Sequence, residues 1–141
     1  PSTEYGQVIS IFMDAAACGK PLKVHGDGKQ TRSFTWIGDI TEAFLLAGLT
    51  DVAIDDGSKL AGAVWNVGWP EETSITELAE LVAETAGVEV MIEPSKGYFG
   101  DSQRRCPDIS LATRQLGWQP WTTLEAGLRS TWSVINNRIN G

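Results

Sequence analysis

Apolar positions along the chain change period repeatedly, from helical spacing to strand alternation and back. In "GQVISIFMDAAACGKP" Val8, Ile9, Phe12, Met13 and Ala16 fall three or four apart, which predicts a helix that Gly19 can cap and Pro21 cannot continue. "PLKVHG" then alternates and predicts a short strand ending at Gly26. "GDGK" reads as a turn, because glycine on both sides of Asp27 permits positive φ. "QTRSFTWI" is rich in β-branched and aromatic residues and predicts a second strand, so the whole stretch from His25 reads as strand, turn, strand. Asp39 is placed to cap the next helix, with Glu42 completing a capping box and Ile40, Phe44 and Leu45 on one face.

The second half repeats the same grammar. "DDGSKLAG" (55–62) is a loop, and "AVWNVG" (63–68) predicts a compact buried strand. "PEETSITELAELVAETAG" carries a Ser74 cap, Glu77 at the third position, a stripe of Ile75, Leu78, Leu81 and Val82, and Gly87 at the stop. "VEVMIEP" (88–94) predicts a strand with Val88, Val90 and Ile92 on one side, and "SKGYFGDSQRRC" has no periodicity and reads as a long loop. Pro107 and Asp108 open a short helix closed by Gly117. Thr122 and Glu125 cap a last helix with Leu124, Leu128, Ile135 and Ile139 inward. Alternating helices and strands make this a small mixed α/β fold, and 141 residues suit a single domain spanning 1–141.

Charge narrows the function classes. With 11 basic and 18 acidic side chains the net charge is −7, which argues against non-specific nucleic-acid binding and against an anionic membrane surface. It leaves room for one phosphorylated ligand held by a local basic cluster. The 2 cysteines, Cys18 and Cys106, have no CxxC spacing and read as free thiols of a cytoplasmic protein; with 1 histidine in the chain, no zinc site is expected. No apolar run approaches membrane-spanning length, and the first residues lack a signal-peptide pattern. The chain opens on Pro1 without a methionine, which fits either removal of an initiator Met or a shortened chain.

Two places concentrate positive charge among backbone donors. One holds Lys23, His25, Lys29 and Arg32 around the GDG turn; the other holds Arg104 and Arg105 ahead of a helix N-terminus. Guanidinium forks match phosphate oxygens, so two arginines on different segments can clamp a diphosphate; they can equally pair with the many surface acids. His25 can face a base or sugar, or stand solvated at a strand end. Asn66 must satisfy its amide with backbone or with a ligand. There is no G-x-G-x-x-G turn between a strand and a helix, and Tyr5 and Tyr98 are followed four places on by Ile9 and Ser102, never by lysine. No Ser/His/Asp arrangement and no paired carboxylates stand out, so no catalytic residue is assigned.

"GQVISIF…A…GKPLKVHGDGKQTRSFTWIGDITEA", "VWNVGWPEETSITELAELV" and "DSQRRCPDISLATRQLGWQPWTTLEAGL" together resemble the C-terminal half of NAD-dependent nucleotide-sugar epimerases and dehydratases. These enzymes form part of the extended short-chain dehydrogenase/reductase superfamily, and the flavour is similar to UDP-glucuronate decarboxylases. The resemblance runs from about Gly6 to about Trp132. It implies the substrate-binding C-terminal part of that fold, with the NAD-binding Rossmann half and the Tyr-x-x-x-Lys absent from this chain. It further implies that Val8, Lys23 and His25 line a base pocket, that Arg32 and Arg105 hold the diphosphate, and that Asn66 contacts the nucleotide. The family usually has a tyrosine where Trp36 stands and an acid where Gly38 stands, and "DVAIDDGSKLAG" reads as an insertion.

The expected ligand is therefore a UDP- or dTDP-sugar, with NAD belonging to the complete family enzyme and no cofactor bound by this chain. The expected partner is the missing Rossmann half, or a second copy joined through an exposed sheet edge. The expected function is the nucleotide-sugar-binding part of such an enzyme, inactive alone. The alternatives are a stand-alone sugar-nucleotide-binding module and a dimerising structural remnant. The motifs do not choose between uridine and thymidine, or among epimerisation, dehydration and decarboxylation.

Overall fold

The structure is a computed structural model that describes residues 8–49, 62–87, 92–95 and 104–140. Val88 and Val90 of the expected strand, most of the 55–62 loop and residues 96–103 of the expected long loop lie outside the described residues. The fold is mixed α/β, and the chain divides into two compact units. The first comprises Pro1–Thr31, Thr73–Arg104 and Glu125–Gly141, the second Arg32–Glu72 and Arg105–Leu124.

In the first unit, helix α1 (Val8–Ala17) buries Phe12, Met13 and Ala16, three of the five residues its spacing singled out. Gly19 ends it at φ 62°, and the amide of Lys20 donates to the carbonyl of Ala15 at 2.8 Å. Strand β1 (Leu22–His25) follows, with Leu22 and Val24 buried and Lys23 outward. It pairs in parallel with β4 (Ile92–Ser95), Leu22 opposite Ile92 and His25 opposite Ser95. A parallel pair requires a crossover, and that crossover contains helix α3 (Ile75–Ala86), which packs on α1 and on β1. Buried Ile75, Leu78, Ala79 and Val82 form its inner face.

The expected order of strand, turn and strand is present, but strand β2 is shorter than expected, only Thr31–Arg32, and it does not pair with β1. Gly26 and Gly28, at φ 68° and 70°, carry the chain across the start of α3 instead. There the carbonyl of Gly28 accepts from the amide of Thr76, and that of Gln30 from the amide of Ile75, both at 3.2 Å. Ser74, in the two-residue strand β3 (Thr73–Ser74), adds the expected capping box: its Oγ accepts from the amide of Glu77 at 3.1 Å, and Glu77 Oε2 accepts from the Ser74 amide at 2.8 Å. The open amides of this helix end are thus taken by protein groups. Gly87 closes the helix at φ 64°.

In the second unit, helix α2 (Ile37–Leu49) begins two residues before Asp39, so Asp39 is not its cap. The side chain is fully buried in the first turn and reaches across to the segment after helix α4 (Ser110–Leu116). Its carboxylate accepts from the Trp121 amide at 3.3 Å, the Thr122 amide at 3.0 Å and the Thr122 hydroxyl at 2.8 Å. The hydroxyl of Thr122, two residues ahead of the last helix, α5 (Leu124–Asn140), donates its hydrogen to Asp39. The indole of Trp118 donates to the Asp39 carbonyl at 2.9 Å. Ala43, Ala112, Leu116 and Trp118 form the core here, flanked by Leu46, Ala47, Trp65, Val67 and Ile109.

The inward face of α2 is thus Ala43 with its neighbours. Phe44 and Leu45 are 73% and 57% exposed, and Ala43 is the α2 residue that joins the buried cluster with Trp118. Residues 63–68 also differ from expectation. They alternate between half-buried Trp65 and Val67 and exposed Val64 and Asn66, yet join no strand ladder among the described residues. In α5, Leu128 is buried as expected.

Two outcomes follow for stability. A Cβ on Gly28 would lie 2.1 Å from Thr76 Oγ1 and 2.7 Å from Val24 Cγ1, at a positive φ. Gly28→Ala is expected to lower unfolding free energy by about 2–4 kcal/mol in urea titration, combining backbone strain with overpacking. Hydrogen bonds from the Ser74 backbone and then its hydroxyl hold the Glu77 carboxyl below the ordinary glutamate value. A depressed carboxylate stabilises above its unfolded pKa and loses that contribution as pH falls through the folded value. Ser74→Ala should cost about 1 kcal/mol at neutral pH and reduce only in part the wild-type loss of stability at low pH, because the Ser74 amide, the larger cause, still reaches Glu77.

Candidate functional site

The second unit carries an open groove of about 410 Å³ lined by Ser33, Thr35, Val67, Gly68, Arg105, Cys106 and Pro107. That volume is within the range of small-molecule sites, roughly 300–1,000 Å³. Its floor is the extended strip Ser33–Trp36, which leads from β2 into α2. One wall is Val67–Gly68; the other runs from Arg105, in the short strand β5 (Arg104–Arg105), to Pro107.

Each wall is tied to the strip by a different kind of bond. The Ser33 amide donates to the Arg105 carbonyl at 3.0 Å, an ordinary backbone link. On the other side the hydroxyls act: Ser33 Oγ donates to the Trp69 carbonyl, and Thr35 Oγ1 accepts from the Trp69 amide at 2.8 Å. The two hydroxyls, two residues apart, thus hold the carbonyl and the amide of one residue, Trp69, which belong to the two successive peptide groups that flank its Cα. The walls meet where Cys106 Sγ donates to the Pro70 carbonyl at 3.3 Å and where Pro107 closes on Gly68. Beyond Pro107, Asp108 Oδ1 accepts from the Ser110 amide at 2.9 Å; this bond and a second from the Ser110 hydroxyl hold its carboxyl below the ordinary aspartate value.

The residues expected to bind a ligand fall in both units. Arg105 is exposed and lines the groove. Arg32, half-buried in β2, and Asn66, exposed, stand next in sequence to the lining residues Ser33 and Val67. Val8, half-buried at the start of α1, Lys23, exposed on β1, and His25, the last residue of β1, belong to the first unit. The side chain of His25 is not among the described ones.

Reading the sequence for charge missed Ser33, Thr35, Cys106 and Pro107, and met Gly68 only as a boundary. The available signal was the i, i+2 pair of hydroxyls in "RSFT". Among the described residues, no group of three or more His, Cys, Asp or Glu side chains could hold a metal ion. No described helix is long and apolar enough to cross a membrane. Cys18 and Cys106 are both free.

Residues 3–131 match the family described as GDP-mannose 4,6 dehydratase. UDP-glucuronic acid decarboxylase 1 of Arabidopsis thaliana is 37% identical over 95% of this chain and 29% of its own length. A UDP-glucose 4-epimerase of Mycolicibacterium smegmatis is 33% identical over 98% of this chain and 41% of its own. Among solved structures, the UDP-glucose 4-epimerase of Thermotoga maritima with UDP-glucose superposes with a TM-score of 0.84 at 26% identity, over 96% of this chain and 41% of that one. The UDP-glucuronic acid 4-epimerase of Bacillus cereus, in complex with UDP-glucuronic acid and NAD, gives 0.83 at 26% identity, over 94% and 40%. The chain thus spans well under half the length of the relatives it matches.

The groove's width rests on Gly68. A Cβ there would meet Pro107 Cγ at 2.7 Å and Thr35 Oγ1 at 3.4 Å. Gly68→Ala is expected to push Pro107 away and destabilise the chain by about 1–3 kcal/mol. Amide shifts at Ser33, Cys106 and Trp69, recorded by NMR, should move together; changes confined to residue 68 would contradict this geometry.

Proposed function

This chain belongs to the GDP-mannose 4,6 dehydratase family of nucleotide-sugar enzymes, and from that premise we propose that it is the part that binds the nucleotide sugar. Arg105 and Arg32 hold the diphosphate of a UDP- or dTDP-sugar, and Asn66 contacts the nucleotide. The observation that carries this reading is the groove in which Arg105 stands among two hydroxyls and a bare glycine backbone. A guanidinium is a permanent cation with a donor fork suited to phosphate oxygens. In a chain of net charge −7, such a cation beside hydroxyl groups favours an anionic ligand rich in oxygen acceptors.

The residues of this chain do not fit NAD, since no glycine-rich turn joins a strand to a helix and no tyrosine is followed four places on by lysine. In this reading the chain binds and orients the sugar nucleotide, while the redox step of the complete family enzyme uses groups outside these 141 residues. The chain is then inactive by itself. Exposed Ile37, Phe44, Leu45 and Leu49 on α2, with exposed Val64, support a covering partner. That partner is the remainder of the family fold, or a second copy of this chain when the remainder is missing.

Calorimetric titration with UDP and with NAD tests the proposal. UDP should bind and NAD should not. Arg32→Ala and Arg105→Ala should each weaken UDP by about tenfold or more, the loss of a hydrogen bond to a charged group. UDP affinity unchanged in both variants, or turnover of a UDP-sugar by this chain with NAD, would sink it.

A further inference from the structure

We propose that Thr35 is a direct ligand-binding residue of the groove, a hydroxyl oriented by the Trp69 amide so that its own hydrogen points at an anionic oxygen held beside Arg105. This deepens the nucleotide-sugar reading and rests on it. The argument starts from what a backbone N–H can do, which is only to donate. In the 2.8 Å contact between the Trp69 amide and Thr35 Oγ1, the threonine is therefore the acceptor. Its hydroxyl hydrogen plays no part in that bond, and the side chain lines the groove.

Ser33 is the built-in contrast. It lines the same groove two residues earlier and grips the same residue, but it is the donor, and its hydrogen goes to the Trp69 carbonyl. The amide and the carbonyl of Trp69 thus order two hydroxyls in opposite senses. Ser33 uses its hydrogen on the protein, whereas Thr35 keeps its own for a ligand. Accepting the amide bond also polarises the Thr35 O–H and strengthens it as a donor. Since Ser33 is linked through its amide to the Arg105 carbonyl at 3.0 Å, hydroxyl and guanidinium are carried on neighbouring, hydrogen-bonded segments. A phosphate oxygen in the groove can meet both.

The test uses the full chain with UDP and with uridine, which lacks the phosphates, and compares Thr35→Val, Thr35→Ser and Ser33→Ala. Thr35→Val keeps the shape and removes the hydroxyl; it should weaken UDP by about tenfold to a hundredfold, as expected for a lost hydrogen bond to a charged group. Uridine affinity should stay within about twofold. Thr35→Ser should restore UDP binding. Ser33→Ala, which loosens the hold on Trp69 without removing a ligand donor, should cost UDP less than about threefold. Exchange protection of the Trp69 amide reports the clamp in each variant without ligand.

Equal UDP affinity of wild type and Thr35→Val overturns the inference while leaving the nucleotide-sugar reading intact. So does an equal loss in Ser33→Ala and Thr35→Val, which would make both hydroxyls purely structural. A wild type that binds no UDP overturns the parent reading and this inference with it.

Discussion

In the second unit the fully buried carboxylate of Asp39 governs the local architecture. An uncompensated charge in such a place costs several kcal/mol, and Asp39 is compensated from one short segment: the amides of Trp121 and Thr122 and the hydroxyl of Thr122. Its position in the first turn of α2 adds the favourable field of the helix N-terminus. The same residue's carbonyl receives the Trp118 indole, the largest fully buried side chain. One aspartate thereby fastens α2 to the chain that leaves α4 and orients the aromatic centre of the core. The strip that floors the groove runs directly into α2, so the direction of the strip depends on this anchorage.

The groove applies the same economy of polar groups. Two hydroxyls hold the amide and the carbonyl of Trp69, just beyond residues 63–68, which join no backbone ladder among the described residues. A glycine admits a proline ring at the point of closest approach. These contacts are short-range and few, so small substitutions there should change the groove's shape more than the chain's overall stability. The first unit shows the complementary use of polar groups: the carbonyls of Gly28 and Gln30 are engaged by the first amides of α3.

In the proposed reading, the exposed side of α2 is the side that a partner covers. Phe44 and Leu45 continue the helical period of the sequence, but Ala43 meets the core. A helix with apolar residues on both faces suits an element packed between two layers.

Local order was legible in the sequence wherever it arises from neighbours in the chain. The Ser74–Glu77 box, the left-handed stops at Gly19, Gly87 and Gly117, the positive-φ turn at Gly26 and Gly28 and the buried stripes of α1 and α3 all follow from spacings of a few residues. The three motifs that resemble nucleotide-sugar epimerases and dehydratases were legible too, and the family match bears them out. Tertiary structure decided the rest. Asp39 carries capping chemistry, and the fold put it inside the first turn of α2 and drew it to Thr122, 83 positions away. The pairing of β1 with β4, the burial of Ala43 where Phe44 was expected, and the roles that Ser33 and Thr35 gain from Trp69, more than thirty positions away, are all tertiary. A side chain's propensity is local, but its hydrogen-bond partner is whatever donor or acceptor the fold brings within about 3 Å, and spacing along the chain does not encode that.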